Sequence, residues 1–134
     1  MIRRIALSVL CVGFFSISLA AADITGIWVG QDQGRRGEPL DVAFRFTQTG
    51  QTVTGKLFGD EFDLPILDAS VSGDQIRFTV TTTNYYSGAK SVFLYTGTIK
   101  GREMELIRER VPTAEDTASN RPIGKQTLKL KRID

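Results

Sequence analysis

Apolar and polar residues alternate with a period of two along most of this chain. Three runs show the pattern clearly: residues 40–47 (Leu-Asp-Val-Ala-Phe-Arg-Phe-Thr), 76–81 (Ile-Arg-Phe-Thr-Val-Thr) and 128–131 (Leu-Lys-Leu-Lys). Successive side chains of a β-strand point to opposite faces, so this alternation predicts strands with one buried and one solvated face. No window of helical length keeps an apolar period of about 3.6 residues. The sequence therefore predicts an all-β domain.

Glycine-centred turns divide the alternating pattern into about eight predicted strands. Gly50, Gly73 and Gly101 each lie between polar residues where one run ends and the next begins. Glycine adopts positive φ at no steric cost, which suits tight hairpins. A meander of such hairpins removes both exposed edges when it closes, so we predict a single up-and-down antiparallel β-barrel, with a β-sandwich as the alternative. The predicted strands are 24–30, 40–48, 52–58, 65–72, 75–83, 90–99, 102–110 and 126–132.

Three connections are too long for tight hairpins. Residues 31–39 are rich in glycine and charge, and residues 111–124 hold two prolines and many polar residues, which predicts a mobile loop. Residues 84–89 carry the pair Tyr85 and Tyr86. Tyrosines at a hairpin tip suit either stacking on a sugar or peptide partner or folding back over the barrel mouth as a lid.

The first 22 residues have the organisation of a secretory signal peptide. Two arginines precede an apolar run at 5–19, and three alanines follow it. The run is short for a membrane span, which needs about 20 residues. We predict that residues 1–22 are cleaved and that residues 23–134 form the exported domain, in the periplasm or outside the cell, with no membrane span. A retained N-terminal anchor is the alternative.

The composition excludes several function classes. The chain has no histidine, and its single cysteine, Cys11, lies in the predicted signal peptide. The mature domain thus lacks the commonest general base, a thiol nucleophile and the commonest metal ligands. We predict a non-catalytic domain without cofactor or metal. The acidic residues Asp60, Glu61 and Asp63 are interpreted as a solvated loop rather than a Ca²⁺ site.

The charge balance of the mature domain is close to neutral. Loss of the two N-terminal arginines leaves 15 basic residues against 15 acidic ones. A neutral domain lacks the electrostatic footprint of proteins that bind nucleic acid or anionic membranes. We therefore predict neither of those partners.

The mature chain opens on Asp-Ile-Thr-Gly-Ile-Trp at 23–28, which places a Gly-x-Trp motif on the first predicted strand. This motif resembles the start of the calycin group, the lipocalin and avidin barrels. In that group the tryptophan plugs one barrel end and a basic residue of the last strand packs across it. The resemblance implies that Trp28 and Arg132 form a barrel-closing pair. The wider pattern also resembles small secreted bacterial domains of uncharacterised function.

Aromatic residues are the candidate ligand contacts. Phe44, Phe78 and Tyr95 occupy inward positions of the predicted barrel. The interior of an eight-stranded barrel holds either packed side chains or one small ligand. We predict that these three residues, with Tyr85 and Tyr86 at the mouth, contact a small apolar molecule. The alternative is an envelope structural or protein-interaction domain with a packed core.

Arg108 is a cationic residue that the sequence places at an inward position near a predicted strand end. It either anchors the anionic head group of a ligand inside the barrel or extends past the strand end to water. The sequence leaves both interpretations open.

Overall fold

The apolar members of the alternating runs all face the inside of one closed sheet. A computed structural model describes residues 22–33, 36–59, 63–120 and 122–134. Within these residues eight strands pair antiparallel, each with the next in sequence, and the last pairs with the first. The predicted all-β, up-and-down barrel is confirmed, and the sandwich alternative is wrong. The strands are β1 (Gly26–Gln33), β2 (Pro39–Thr49), β3 (Thr52–Phe58), β4 (Asp63–Ser72), β5 (Gln75–Thr83), β6 (Lys90–Lys100), β7 (Glu103–Arg110) and β8 (Lys125–Arg132).

The strand boundaries differ from the predicted ones mainly at β1. This strand begins at Gly26 rather than residue 24 and continues to Gln33 rather than residue 30. The preceding residue Ile24 is fully buried, and its backbone N–H donates to Oε1 of Gln48. Ile24 therefore contributes to the core from a segment that precedes the strand.

The core consists of the inward side chains of all eight strands. Alternation is visible on β2, where Phe44 and Phe46 are buried and Arg45 between them is exposed. β5 repeats it, with Ile76, Phe78 and Val80 buried. The largest fully buried side chains are Trp28, Phe44, Phe46, Phe78, Ile24, Met104, Leu106, Leu128 and Leu130.

The two ends of the barrel differ in the length of their connections. At what we call the closed end, hairpins turn tightly at Gly50, Gly73 and Gly101, with φ of 62°, 59° and 62°. At the open end lie the longer connections, residues 34–38, 59–62, 84–89 and 111–124. The open end is therefore the one where the longer connections surround the barrel mouth.

A short helix, α1 (Ala114–Ala118), lies in the connection after β7, where the sequence predicts only a mobile loop. Thr113 caps it, because its side chain accepts from the Asp116 N–H while the Asp116 side chain accepts from the Thr113 N–H. Asp116 also binds Arg110 of β7 through both carboxylate oxygens, at 2.5 and 3.0 Å. These contacts fasten α1 to the end of β7.

The contact with Arg110 lowers the pKa of Asp116, and this change can be tested. Hydrogen bonds from Arg110 and then from Thr113 hold the pKa of Asp116 far below its usual value of 3.8. Since the folded pKa is the lower one, the stabilisation is present above pH 3.8 and is lost as the pH falls through the folded pKa. We expect carboxyl-carbon NMR titration to show this low pKa, and Arg110→Met to raise it. Lys56→Met, which removes the cation of a different ion pair, should leave it unchanged. A wild-type Asp116 that titrates at its usual value would contradict the contact.

Parts of the predictions fall outside the described residues. The predicted signal peptide does so except for Ala22, and so do Asp60 and Glu61 of the acidic cluster. Within residues 22–33, 36–59, 63–120 and 122–134, no helix is long and apolar enough to cross a membrane. In the same residues no group of three or more acidic, histidine or cysteine side chains is placed to hold a metal ion.

Candidate ligand site at the open end

The predicted interior contacts Phe44, Phe78 and Tyr95 lie together at the centre of the barrel. Each is at most 2% exposed. The rings of Phe78 and Tyr95 stack with centroids 4.8 Å apart, and Phe44 meets both edge-on at 5.6 and 5.7 Å. Phe46 extends the cluster, stacked 5.6 Å from Phe44. These rings contact one another, so they themselves occupy this part of the interior.

Tyr85 and Tyr86 lie at the tip of the β5–β6 hairpin and extend into solvent. They are 92% and 94% exposed, and their rings meet edge-on at 5.4 Å. Asn84 holds the tip, since its Oδ1 accepts from the backbone N–H groups of Tyr86 and Ser87 at 2.9 and 3.1 Å. The pair does not fold back over the mouth as a lid in this structure.

Trp28 and Arg132 meet at the closed end. The Arg132 guanidinium lies 5.1 Å from the centroid of the fully buried Trp28 ring, whose Nε1 donates to the Ile24 carbonyl at 2.9 Å. Arg132 also donates to the carbonyls of Asp23 and Thr25 at 2.7 and 2.9 Å. The indole, the guanidinium and the N-terminal segment together fill this end of the barrel.

A polar cluster occupies the lumen at the open end, where β1 and β8 separate. These strands pair only from Trp28 to Gly30 on the β1 side, whereas β1 pairs with β2 along its whole length. Beyond Gly30, side chains bridge the gap. Arg108 Nη1 donates to Asp32 at 2.6 Å, and Arg108 Nη2 and Asp32 both bond to Gln126. Arg108 therefore does not simply extend to water but completes the barrel wall.

An aromatic floor lies beneath this cluster. The Arg108 guanidinium is 5.5 Å from the centroid of the half-buried Phe93 ring, a cation–π contact. Tyr95, two residues further along β6, is opposite Arg108 in the β6–β7 register. Burial raises the pKa of Tyr95, and the nearby positive charge of Arg108 opposes the rise.

A hollow of about 630 Å³ opens above the floor, and we call it the open-end hollow. Its walls come from β1, β6, β7, β8 and the last residues of the β7–β8 connection. Its lining includes no acidic residue among those the structure describes. A larger hollow of about 720 Å³ lies on the outer wall, where lysines and glutamates alternate. The residues that line the open-end hollow include Phe93, Arg108, Arg110, Ile123, Lys125 and Gln126.

Most residues of this site escape prediction from sequence. Asp32 and Gln126 share the inward parity of Trp28 and Leu128 on their strands, which is the one signal that marks them. The Thr-x-x-Asp spacing at 113–116 marks the cap of α1 in the same way. Neither signal names the partner of a side chain, because partners are set by barrel closure.

The fold and site define a closed eight-stranded up-and-down β-barrel, sealed at one end by a tryptophan and lined by arginines at the other. No protein-family model, curated protein or solved structure matches the chain.

Proposed function

We propose that this protein is an exported, non-catalytic barrel that binds one small, largely apolar molecule at its open end. The observation that carries the proposal is the difference between the two ends. Trp28 and Arg132 fill one end, whereas the other holds a hollow of about 630 Å³ with an aromatic floor. A concave site with an apolar surface and a few convergent polar groups is the usual form of a small-molecule site.

The contacts within the barrel support a ligand position near the mouth rather than in the centre. Phe44 and Phe78 pack against Tyr95 and leave the central lumen to side chains. Phe93 is half-buried and lines the hollow directly. We assign direct ligand contact to Phe93, and we assign to Phe44, Phe78 and Tyr95 the support of that floor.

Export, the absence of catalysis and kinship with calycin barrels belong to the same proposal. The basic, apolar and small-residue segments of residues 1–22 support export. The lack of histidine and of cysteine in the mature domain supports binding rather than catalysis. The Gly-x-Trp motif and the Trp28–Arg132 contact support kinship with the lipocalin and avidin barrels.

A second candidate is an envelope interaction domain that acts through its surface. The observation that favours it is the exposure of Tyr85 and Tyr86, at 92% and 94%, on a hairpin tip fixed by Asn84. Tyrosine supplies large contact area at low conformational cost, which suits a protein or glycan partner. In this case the packed core only supports the tip.

A dye titration tests the proposed function. The neutral, apolar dye N-phenyl-1-naphthylamine brightens in apolar sites, and we expect the secreted protein to bind it at one site. Phe93→Ala should weaken binding about tenfold, because the variant loses the apolar contact area of one ring. Phe58→Ala is the matched control, since this half-buried phenylalanine also lies beside a cation, Lys56, but away from the hollow.

Each outcome of the titration has a separate meaning. Equal weakening by Phe93→Ala and Phe58→Ala would show that the hollow is not the site. Failure of the wild type to bind this dye or any other small molecule would reject the binding function and favour the interaction domain.

The intact mass of the secreted protein also shows whether it begins at Asp23, as predicted.

A further inference from the structure

We infer that the ligand of the open-end hollow is an organic anion, an apolar body that carries a carboxylate, sulfonate or phosphate group. This inference rests on the proposed function and adds the chemical class of the ligand. Three cationic side chains line the hollow, Arg108, Arg110 and Lys125, and none of its described lining residues is acidic. Arginine pairs with planar and tetrahedral anions through two parallel hydrogen bonds, which makes it suited to this class.

Each of the two arginines is paired with a carboxylate that is more buried than the arginine. In the Arg108–Asp32 pair the arginine side chain is 24% exposed and the aspartate 10%. In the Arg110–Asp116 pair the values are 30% and 7%. In each case the cation is the partner that faces solvent.

An ion pair on the outer wall shows the opposite arrangement. Lys56 and Asp63 are also paired, at 2.9 Å, but there the lysine side chain is 40% exposed and the aspartate 64%. The more exposed cation is therefore a feature of the ion pairs at the hollow and is not shared by every described ion pair.

The carboxylate oxygens of Asp32 and Asp116 are already engaged. Asp32 accepts from Arg108 and Gln126 through its two oxygens. Asp116 accepts from Arg110 through both oxygens and from Thr113. A cationic ligand would have to break these bonds to reach either of these two carboxylates, whereas an anion meets the N–H donors of the arginines.

The same contacts hold the donors in place before a ligand arrives. A guanidinium has five N–H donors, and Arg108 donates to Asp32 through Nη1 and to Gln126 through Nη2. The Phe93 ring packs against the same group, with its centroid 5.5 Å from Arg108 Cζ. A donor group held by neighbouring side chains loses less conformational entropy on binding, which raises affinity without new contacts.

A matched pair of dyes tests the class of ligand. 1-Anilinonaphthalene-8-sulfonate has the same rings as N-phenyl-1-naphthylamine and adds one sulfonate. We expect the wild type to bind the sulfonate about tenfold more tightly, and added salt to reduce this ratio. Arg108→Gln and Arg110→Gln should each lower the ratio, because affinity for the sulfonate falls more than affinity for the neutral dye. Arg77→Gln removes an exposed arginine on the wall of β5 and should change neither value.

The outcomes separate the inference from the proposed function. Equal affinity of the wild type for both dyes would overturn the inference that the ligand is an anion, and it would leave the proposed binding function intact. Binding of neither dye would reject the binding function itself. If Arg108→Gln lowers affinity for both dyes equally, Arg108 acts only in the barrel wall. That result would overturn its role as a hydrogen-bond donor to the anion. If that variant fails to fold, Arg110→Gln decides, because its side chain lies at the end of β7 and binds the connection rather than another strand.

Discussion

Replacement of Gly55 by alanine is expected to destabilise the barrel by about 4 kcal/mol or more, a loss found only where a substitution forces the backbone itself to move. Gly55 lies in β3 with φ of +153°, where β3 changes register against β4. A Cβ atom at this position would lie 1.8 Å from the Arg45 carbonyl oxygen and 3.2 Å from the Phe46 Cα. Both are backbone atoms of the paired strand, so no side-chain rotation relieves the overlap.

The control for this prediction is Gly124→Ala. Among the described residues, no atom other than those of Gly124 and its chain neighbours lies within 4 Å of a Cβ built at Gly124, so we expect a change of less than about 0.5 kcal/mol. Urea unfolding followed by Trp28 fluorescence measures both variants, since Trp28 is the single tryptophan of the chain. Similar stability of the Gly55→Ala variant and the wild type would mean that β2 and β3 do not approach as closely as described.

Truncation of Trp28 to alanine is the second change with a large expected effect. The indole is fully buried at the closed end, and such aromatic truncations cost about 3 to 5 kcal/mol through lost transfer free energy and the cavity left behind. The variant also loses the Nε1 hydrogen bond to Ile24. We expect a corresponding fall in the urea midpoint, measured by far-ultraviolet circular dichroism because the variant has no tryptophan.

A double-mutant cycle isolates the contact between Trp28 and Arg132. Trp28→Leu and Arg132→Met each remove one partner of the contact and keep an apolar side chain, so the cycle reports mainly the cation–π contact, with an expected coupling of about 0.5 to 1 kcal/mol. Tyr86→Ala serves as the aromatic control, because a 94% exposed ring contributes little to stability. Full additivity of the two substitutions would show that Arg132 acts only through its bonds to backbone carbonyls.

The two ends of the barrel thus differ in their physical properties. The closed end has tight glycine turns and a filled interior, and its variants are expected to change stability. The open end has long connections, a half-open seam between β1 and β8 and polar side chains in the lumen. Variants such as Phe93→Ala and Arg110→Gln are expected to change binding more than stability, because these side chains lie at the rim of the hydrophobic core.

Local patterns in the sequence predict the strands well because each strand is long and strictly alternating. The predicted strand 52–58 and the predicted strand 75–83 coincide with β3 and β5. The inward position of Arg108 follows from the same parity and is correct. The sequence analysis misses the helix α1 because five residues are too few to show a helical period. The Thr-x-x-Asp spacing of its cap is the feature of the sequence that indicates it.

The sequence by itself determined the fold class, the strand order along the chain and the face on which each side chain lies, because alternation and turn glycines act between neighbouring residues. Only the tertiary structure decided which inward side chains meet. Arg108 and Asp32 are 76 residues apart, and Gln126 and Asp32 are 94 apart. Their contact depends on the register of β7, β8 and β1 after the barrel closes, and that register results from the packing of the whole core.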